Sequence, residues 1–260
     1  MNFLIYDCFA FYNELELLEI RLNELDPYVD KFVLAEGNLT FQGHPKKFYF
    51  DENKQNEAFK PFLDKIIHVK VIDMPSGSHT GPEDWTRETY LTDSMMVPLK
   101  QCNKDDVIMV GFGDEICKGK AVETFLHEQF TTPYVCFGLL NAFHYLNNVA
   151  NTVWYRRKIA KYENICTGLN NYSLYRFYHS EKGNYRIPEK FTLASAAGWH
   201  FSWMNPKKDE DRKATWTHGF TYAPSIAGDS FKAYPLTEDI FPKYLCDNKE
   251  KFKHLLLEPY

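Results

Sequence analysis

Two short apolar segments, each leading into a carboxylate, bracket one amphipathic stretch near the N-terminus. Phe3 to Tyr6 runs into Asp7, and Phe32 to Ala35 runs into Glu36. Between them Leu15, Leu18, Leu22 and Leu25 recur at spacings of three and four, the stripe of an amphipathic helix. Asn13 is the expected N-cap, with Glu16 as its capping partner, and Asp26-Pro27 ends the helix. The pattern is strand, helix, strand with acids at both strand ends. An open α/β sheet presents such strand ends to a ligand. A third apolar strand, Asp106 to Val110, leads through Gly111-Phe112-Gly113 to Asp114-Glu115.

A chain of 260 residues can bury a large core, and one α/β domain over residues 1–260 is the simplest organisation. Net charge is −5 with both signs interspersed, which argues against a nucleic-acid partner. No apolar run reaches about 18 residues, so no membrane span is expected. The N-terminus has no basic region followed by an apolar core, so the chain reads as cytoplasmic. Its six cysteines form no CxxC pair and are expected to be free thiols.

Further along, residues 53–64 read as a short helix and Ile66 to Ile72 as a buried strand. Met74 to Asp84, rich in Gly, Pro and Ser, reads as a loop. Helices are expected from Trp85 to Lys100, broken near Pro98, and from Lys120 to Gln129. Tyr134 to Leu139 and Asn151 to Trp154 read as strands, Arg156 to Tyr162 as a short helix, and Phe241 to Leu257 as a terminal helix.

An apolar strand ending in acids suits a divalent cation that bridges the phosphates of a nucleotide-sugar. Hard oxygen ligands favour Mg²⁺ or Mn²⁺, acting as a Lewis acid on the leaving diphosphate. Asp-Glu after a strand is also common at helix starts, where it satisfies exposed amides, so the motif alone leaves both readings open.

Several blocks sharpen the choice. They are Ile5-Tyr6-Asp7-Cys8-Phe9, Asn13-Glu14 through Leu25, Phe32 to Glu36, and Thr40-Phe41-Gln42-Gly43-His44-Pro45-Lys46. Trp85-Thr86-Arg87-Glu88, Asp114-Glu115-Ile116 and Ala197-Gly198-Trp199-His200-Phe201-Ser202 continue the series. With these blocks the chain resembles glycosyltransferase family 17. The resemblance implies a GT-A-like nucleotide-sugar-binding mixed sheet flanked by helices. It also implies a UDP-sugar donor, with UDP-N-acetylglucosamine the first choice, a carbohydrate acceptor, and inversion at the anomeric carbon. One departure stands out: where the family pattern is Asp-x-Asp-Glu, this chain has Phe112-Gly113-Asp114-Glu115.

On this reading Asp114 and His200 are the metal ligands, and Asp114 and Glu115 are the catalytic carboxylates. Glu115 is the first choice of general base, with Glu238 and Asp239 as alternatives. Asp7, Glu36, Lys46, Arg87, Trp199 and His200 are the donor-binding set, with His218 a further candidate. Structural roles compete at each position: amide partners for Asp7 and Glu36, an ion pair for Arg87 with Glu88, solvation for Lys46, and core packing for Trp199. The function expected is an inverting transferase. The alternative is a non-catalytic carbohydrate- or nucleotide-binding protein that kept the fold with Phe112 in the metal motif.

Overall fold

The computed structural model describes residues 3–81, 84–127, 133–166, 173–180, 184–186, 192–204 and 230–258. Its framework is a mixed sheet. Strands β1 (Ile5–Ala10), β2 (Lys31–Gly37), β3 (Ile66–Val71) and β4 (Val107–Phe112) pair in parallel in the order β3-β2-β1-β4. Each of β1, β2 and β4 is buried on both faces, which is why their sequences read as continuous apolar runs. The strand order reverses beside β1, so the carboxyl ends of β1 and β4 flank the crevice where such sheets take ligands.

Beyond β4 the sheet turns antiparallel. Strand β5 (Glu115–Cys117) follows a tight turn from β4. Strands β6 (Tyr134–Phe143), β7 (Asn148–Lys161), β8 (Asn184–Arg186), β9 (Gly198–Ser202) and β10 (Phe231–Ala233) complete the sheet. The main path continues β4-β7-β6-β9-β5, with β8 on β6 and β10 on β7. The expected helix at Arg156 to Tyr162 is instead the continuation of β7. Val107 to Val110 of β4 pair with Lys158 to Lys161, and that ladder satisfies the backbone more fully than an isolated turn.

Helix α1 (Leu15–Leu25) lays Leu18, Leu22 and Leu25 against Phe9, Phe32 and Leu34 on one face of the sheet. The capping box expected at Asn13 does not form; Glu14 holds the N-cap position, without a side-chain cap bond. Short helix α2 (Tyr49–Asn53) adds Phe50 to the same core. The opposite face packs α3 (Thr86–Ser94), α4 (Met96–Leu99), α6 (Tyr162–Cys166) and α7 (Leu174–His179), while α5 (Gly119–His127) lies on the α1 side. A third core joins Leu17 and Ile20 to Trp199 and Phe201. It also takes in the C-terminal helices α8 (Lys243–Asp247) and α9 (Lys249–Phe252), which replace the single helix expected there. The expected α/β class, a mixed sheet flanked by helices, is what the chain forms.

Candidate functional site

A buried charge network underlies the β4–β5 turn. Asp7 points from β1 toward α1, where Arg21 grips both of its oxygens, Nε at 2.8 Å and Nη2 at 2.9 Å. Arg157 of β7 donates to the same carboxylate. Burial opposes ionisation of Asp7, but the guanidinium groups of Arg157 and Arg21 outweigh it and hold the carboxyl below its ordinary pKa. Arg21 also donates to the carbonyls of Phe112 and Glu115, each at 2.9 Å. One arginine therefore fixes the turn that carries Asp114. Its partners lie far off in sequence, so nothing local announced them.

Glu115 is buried at 1% exposure and engaged on both oxygens. Oε1 accepts from Trp154 Nε1 at 2.5 Å and from the Tyr178 hydroxyl at 2.6 Å, and Oε2 accepts from the Phe112 amide at 3.0 Å. Burial and the Glu115 charge push the Tyr178 phenol well above its ordinary pKa. Glu115 is thus an internal acceptor beneath the turn, not a carboxylate facing a substrate.

Asp114 is different. Its side chain is 29% exposed, with Oδ2 lying 3.5 Å from His200 Nε2. Strand pairing sets this contact, because β5 and β9 place Glu115 opposite His200. Asn141 orients the imidazole. Its Nδ2 donates to Thr152 Oγ1 at 3.4 Å, which turns Oδ1 to His200 Nδ1 at 3.1 Å. Asn141 thereby takes the Nδ1 side of the ring and leaves Nε2 turned toward Asp114. The Trp154 ring stacks on the imidazole, centroids 4.2 Å apart at 18°. Glu14 completes this rim: its Oε2 accepts from the amides of Tyr12 at 3.2 Å and Asn13 at 3.1 Å. Burial first, then the Asp114 charge, raise its pKa.

Sequence reasoning did not single out Glu14, Asn141, Trp154 or Tyr178. Asn141 and Trp154 lie on strands whose pairing alone brings them to the turn. Among the described residues no group of three or more His, Cys, Asp and Glu side chains converges to hold a metal; Asp114 with His200 is a pair.

The remaining expected donor residues fall elsewhere. Glu36 is fully buried and takes hydrogen bonds from the Phe50 amide at 3.3 Å and Lys46 Nζ at 3.4 Å, with His68 Nε2 at 3.2 Å. Lys46 lies over the rings of Tyr12 and Tyr49, and burial lowers its pKa against the pull of Glu36. Arg87 spends its guanidinium on the carbonyls of Pro75, Phe41 and Gly77, tying two loops together instead of facing a diphosphate. Trp199 is a core residue at 1% exposure, donating to the Ile240 carbonyl at 2.8 Å. Glu238 and Asp239 are exposed on the C-terminal segment. His218 lies outside the described residues.

A mixed sheet whose parallel half carries an acid-bearing turn at its switch point defines an α/β scaffold of the kind that takes ligands at its strand ends. The chain belongs to glycosyltransferase family 17, whose profile matches residues 2–210. It is 25% identical to a human beta-1,4-mannosyl-glycoprotein 4-beta-N-acetylglucosaminyltransferase over 95% of this chain and 54% of that protein. The rat protein of the same name is 26% identical over 95% and 53%. The chain therefore spans about half the length of the curated relatives it matches. Among solved structures, a 4-diphosphocytidyl-2C-methyl-D-erythritol synthase is similar at 7% identity and a TM-score of 0.40. That match covers 68% of this chain and 86% of the other.

These relatives overturn the cytoplasmic expectation. They are named for acting on a glycoprotein, a class of acceptor at odds with a cytoplasmic enzyme. No described helix is long and apolar enough to cross a membrane.

Proposed function

We propose that residues 1–260 form one glycosyltransferase domain that moves a sugar, N-acetylglucosamine in the first instance, from a UDP-sugar to a glycan hydroxyl with inversion. The observation that carries this reading is the Asp114–His200 pair, 3.5 Å apart at the carboxyl end of β4. The donor set fits a divalent cation: a carboxylate oxygen and an imidazole nitrogen face each other, and Asn141 holds the ring from its other nitrogen. Asp114 and His200 would be the protein's ligands to Mn²⁺ or Mg²⁺. Bound there, the cation would supply Lewis-acid stabilisation to the leaving diphosphate.

The chain's own residues do the rest. Arg21 holds the turn in place from below, so Asp114 meets its ligand without reorganisation. Trp154 closes one side of the imidazole against water. The base role assigned from sequence to Glu115 passes to Glu14, whose Oε2 is anchored by two amides beside Asp114.

A second reading, a binding protein without turnover, draws support from Phe112. Its ring packs edge-on against Tyr178 at 5.2 Å, where the family pattern has a carboxylate. One experiment separates the two. Sugar-nucleotide turnover and thermal stabilisation by UDP are measured with and without Mn²⁺ for the native chain, Asp114→Ala and Phe112→Asp. Mn²⁺-dependent turnover lost in Asp114→Ala supports the transferase. Stabilisation by UDP without turnover in the native chain supports the binding protein. Native behaviour in Asp114→Ala removes the metal assignment.

A further inference from the structure

Glu115 stands directly across from His200 in the β5–β9 ladder, so the two side chains rise on the same side of the sheet. Trp154, reaching in from β7, connects them. Its Nε1 donates to Glu115 Oε1 at 2.5 Å, and its ring lies on the His200 imidazole, centroids 4.2 Å apart and planes within 18°. One indole is thus anchored at its edge by the carboxylate and applied by its face to the imidazole that faces Asp114.

The same carboxylate shapes the other half of the pair. Its Oε2 accepts from the Phe112 amide at 3.0 Å, three residues back, and so closes the turn that carries Asp114. Tyr178 donates its hydroxyl to Oε1 at 2.6 Å and steadies the carboxylate from α7. Three donors from β4, β7 and α7 therefore fix one side chain, and at 1% exposure it has no bulk water to exchange them for.

Asn141 and Trp154 constrain the imidazole in different ways. The hydrogen bond at Nδ1 fixes one point in the ring plane and leaves the ring free to tilt about that contact. The stacked indole removes the tilt. With both in place, Nε2 is held 3.5 Å from Asp114 Oδ2.

We propose that Glu115 is a positioning residue for the Asp114–His200 pair. Through Oε2 it sets the turn that bears Asp114, and through the Trp154 indole it sets the plane of the His200 imidazole. The acid that follows Asp114 in the sequence thus acts on both ligands without meeting the cation or the sugar. Glu115→Gln disturbs the arrangement at constant size. Each carboxylate oxygen faces an N–H that cannot accept, so either orientation of the amide sets donor against donor. Trp154→Phe keeps an aromatic face and removes the Nε1–H anchor.

This inference rests on the metal assignment of the transferase reading, and two measurements separate them. The ring-proton signals of His200 are recorded by NMR on metal-free, histidine-labelled chain and identified by their loss in His200→Asn. Mn²⁺ affinity is measured by titration in the presence of UDP. Both are read for the native chain, Glu115→Gln and Trp154→Phe, with Tm as the folding control; either folded variant suffices. The His200 signals should move, and Mn²⁺ affinity should fall by about tenfold or more. Native His200 signals, or native Mn²⁺ affinity, in a folded variant overturn the positioning role. If Asp114→Ala at the same time loses the Mn²⁺ binding of the native chain, the transferase reading stands. A native chain that binds no Mn²⁺ with UDP, or an Asp114→Ala protein that binds it as the native chain does, overturns the metal assignment and the positioning role together.

Discussion

Arg21 and Asp7 meet side-on, through Nε and Nη2, with no exposure to solvent on either side chain, and Nη1 of the same guanidinium reaches to the carbonyls of Phe112 and Glu115. The pair therefore joins the first strand to the turn that bears Asp114. Arg157, arriving from β7, makes Asp7 the shared anion of two buried cations.

Asp7→Ala leaves both arginines buried without that anion. Stability should fall by about 3–5 kcal/mol, the cost of breaking a buried pair, as measured by urea denaturation. The native pair also has an acid limit. The folded pKa of Asp7 lies below the unfolded value of about 3.9. Its contribution is thus fully present above that value and is lost as pH falls through the folded pKa. Acid unfolding should show this loss below about pH 4, and Asp7→Ala should lack it.

Gly111 is required by the same network. A Cβ there would lie 2.5 Å from both Arg157 Nη1 and Glu115 Oε2. Neither side chain has room to retreat, since both are 0–1% exposed. Gly111→Ala should cost about 1–3 kcal/mol in denaturant unfolding and weaken Mn²⁺ binding in the presence of UDP.

Asn141 touches no expected ligand, yet it sets which nitrogen of His200 faces Asp114. Asn141→Leu should leave the Tm near native and lower Mn²⁺ affinity about 10–100-fold, read by titration in UDP. Unchanged affinity would separate His200 from the metal.

Lys158 donates to the carbonyls of Phe177 and Tyr178 and so caps the end of α7. Burial lowers its pKa to about 8, below the unfolded value of about 10.4. The folded chain therefore binds this proton less tightly than the unfolded chain. The cost of the buried charge is fully present below pH 8 and diminishes as pH rises from about 8 to about 10.4. Lys158→Met should abolish that rise in stability, measured by denaturant midpoints across the range.

The N-terminal half was legible because its structure is local. The leucine stripe of α1, the apolar runs of β1 and β2, and the acid after β4 are each written in a few consecutive residues. Asp114 and His200, named from sequence, do meet. The readings given to Asp7, Glu115 and Arg87 did not anticipate their partners, because those partners are supplied by pairing across the sheet or by distant loops. A carboxylate at a strand end looks the same in sequence whether it faces a ligand or an arginine 150 residues away. Likewise Arg156 to Tyr162 holds too little periodic signal to reveal that β4 draws it into a strand.

Strand β7 carries Trp154, which covers the His200 imidazole, and Arg157, which neutralises Asp7. Side chains along a strand alternate faces, so a slip of one residue against β4 would displace both at once. The charge balance of the interior and the shape of the ligand-facing surface are consequently decided in a single pairing event. A slipped strand would leave the Arg157 guanidinium buried without its anion, so the native register is the one in which that charge is matched.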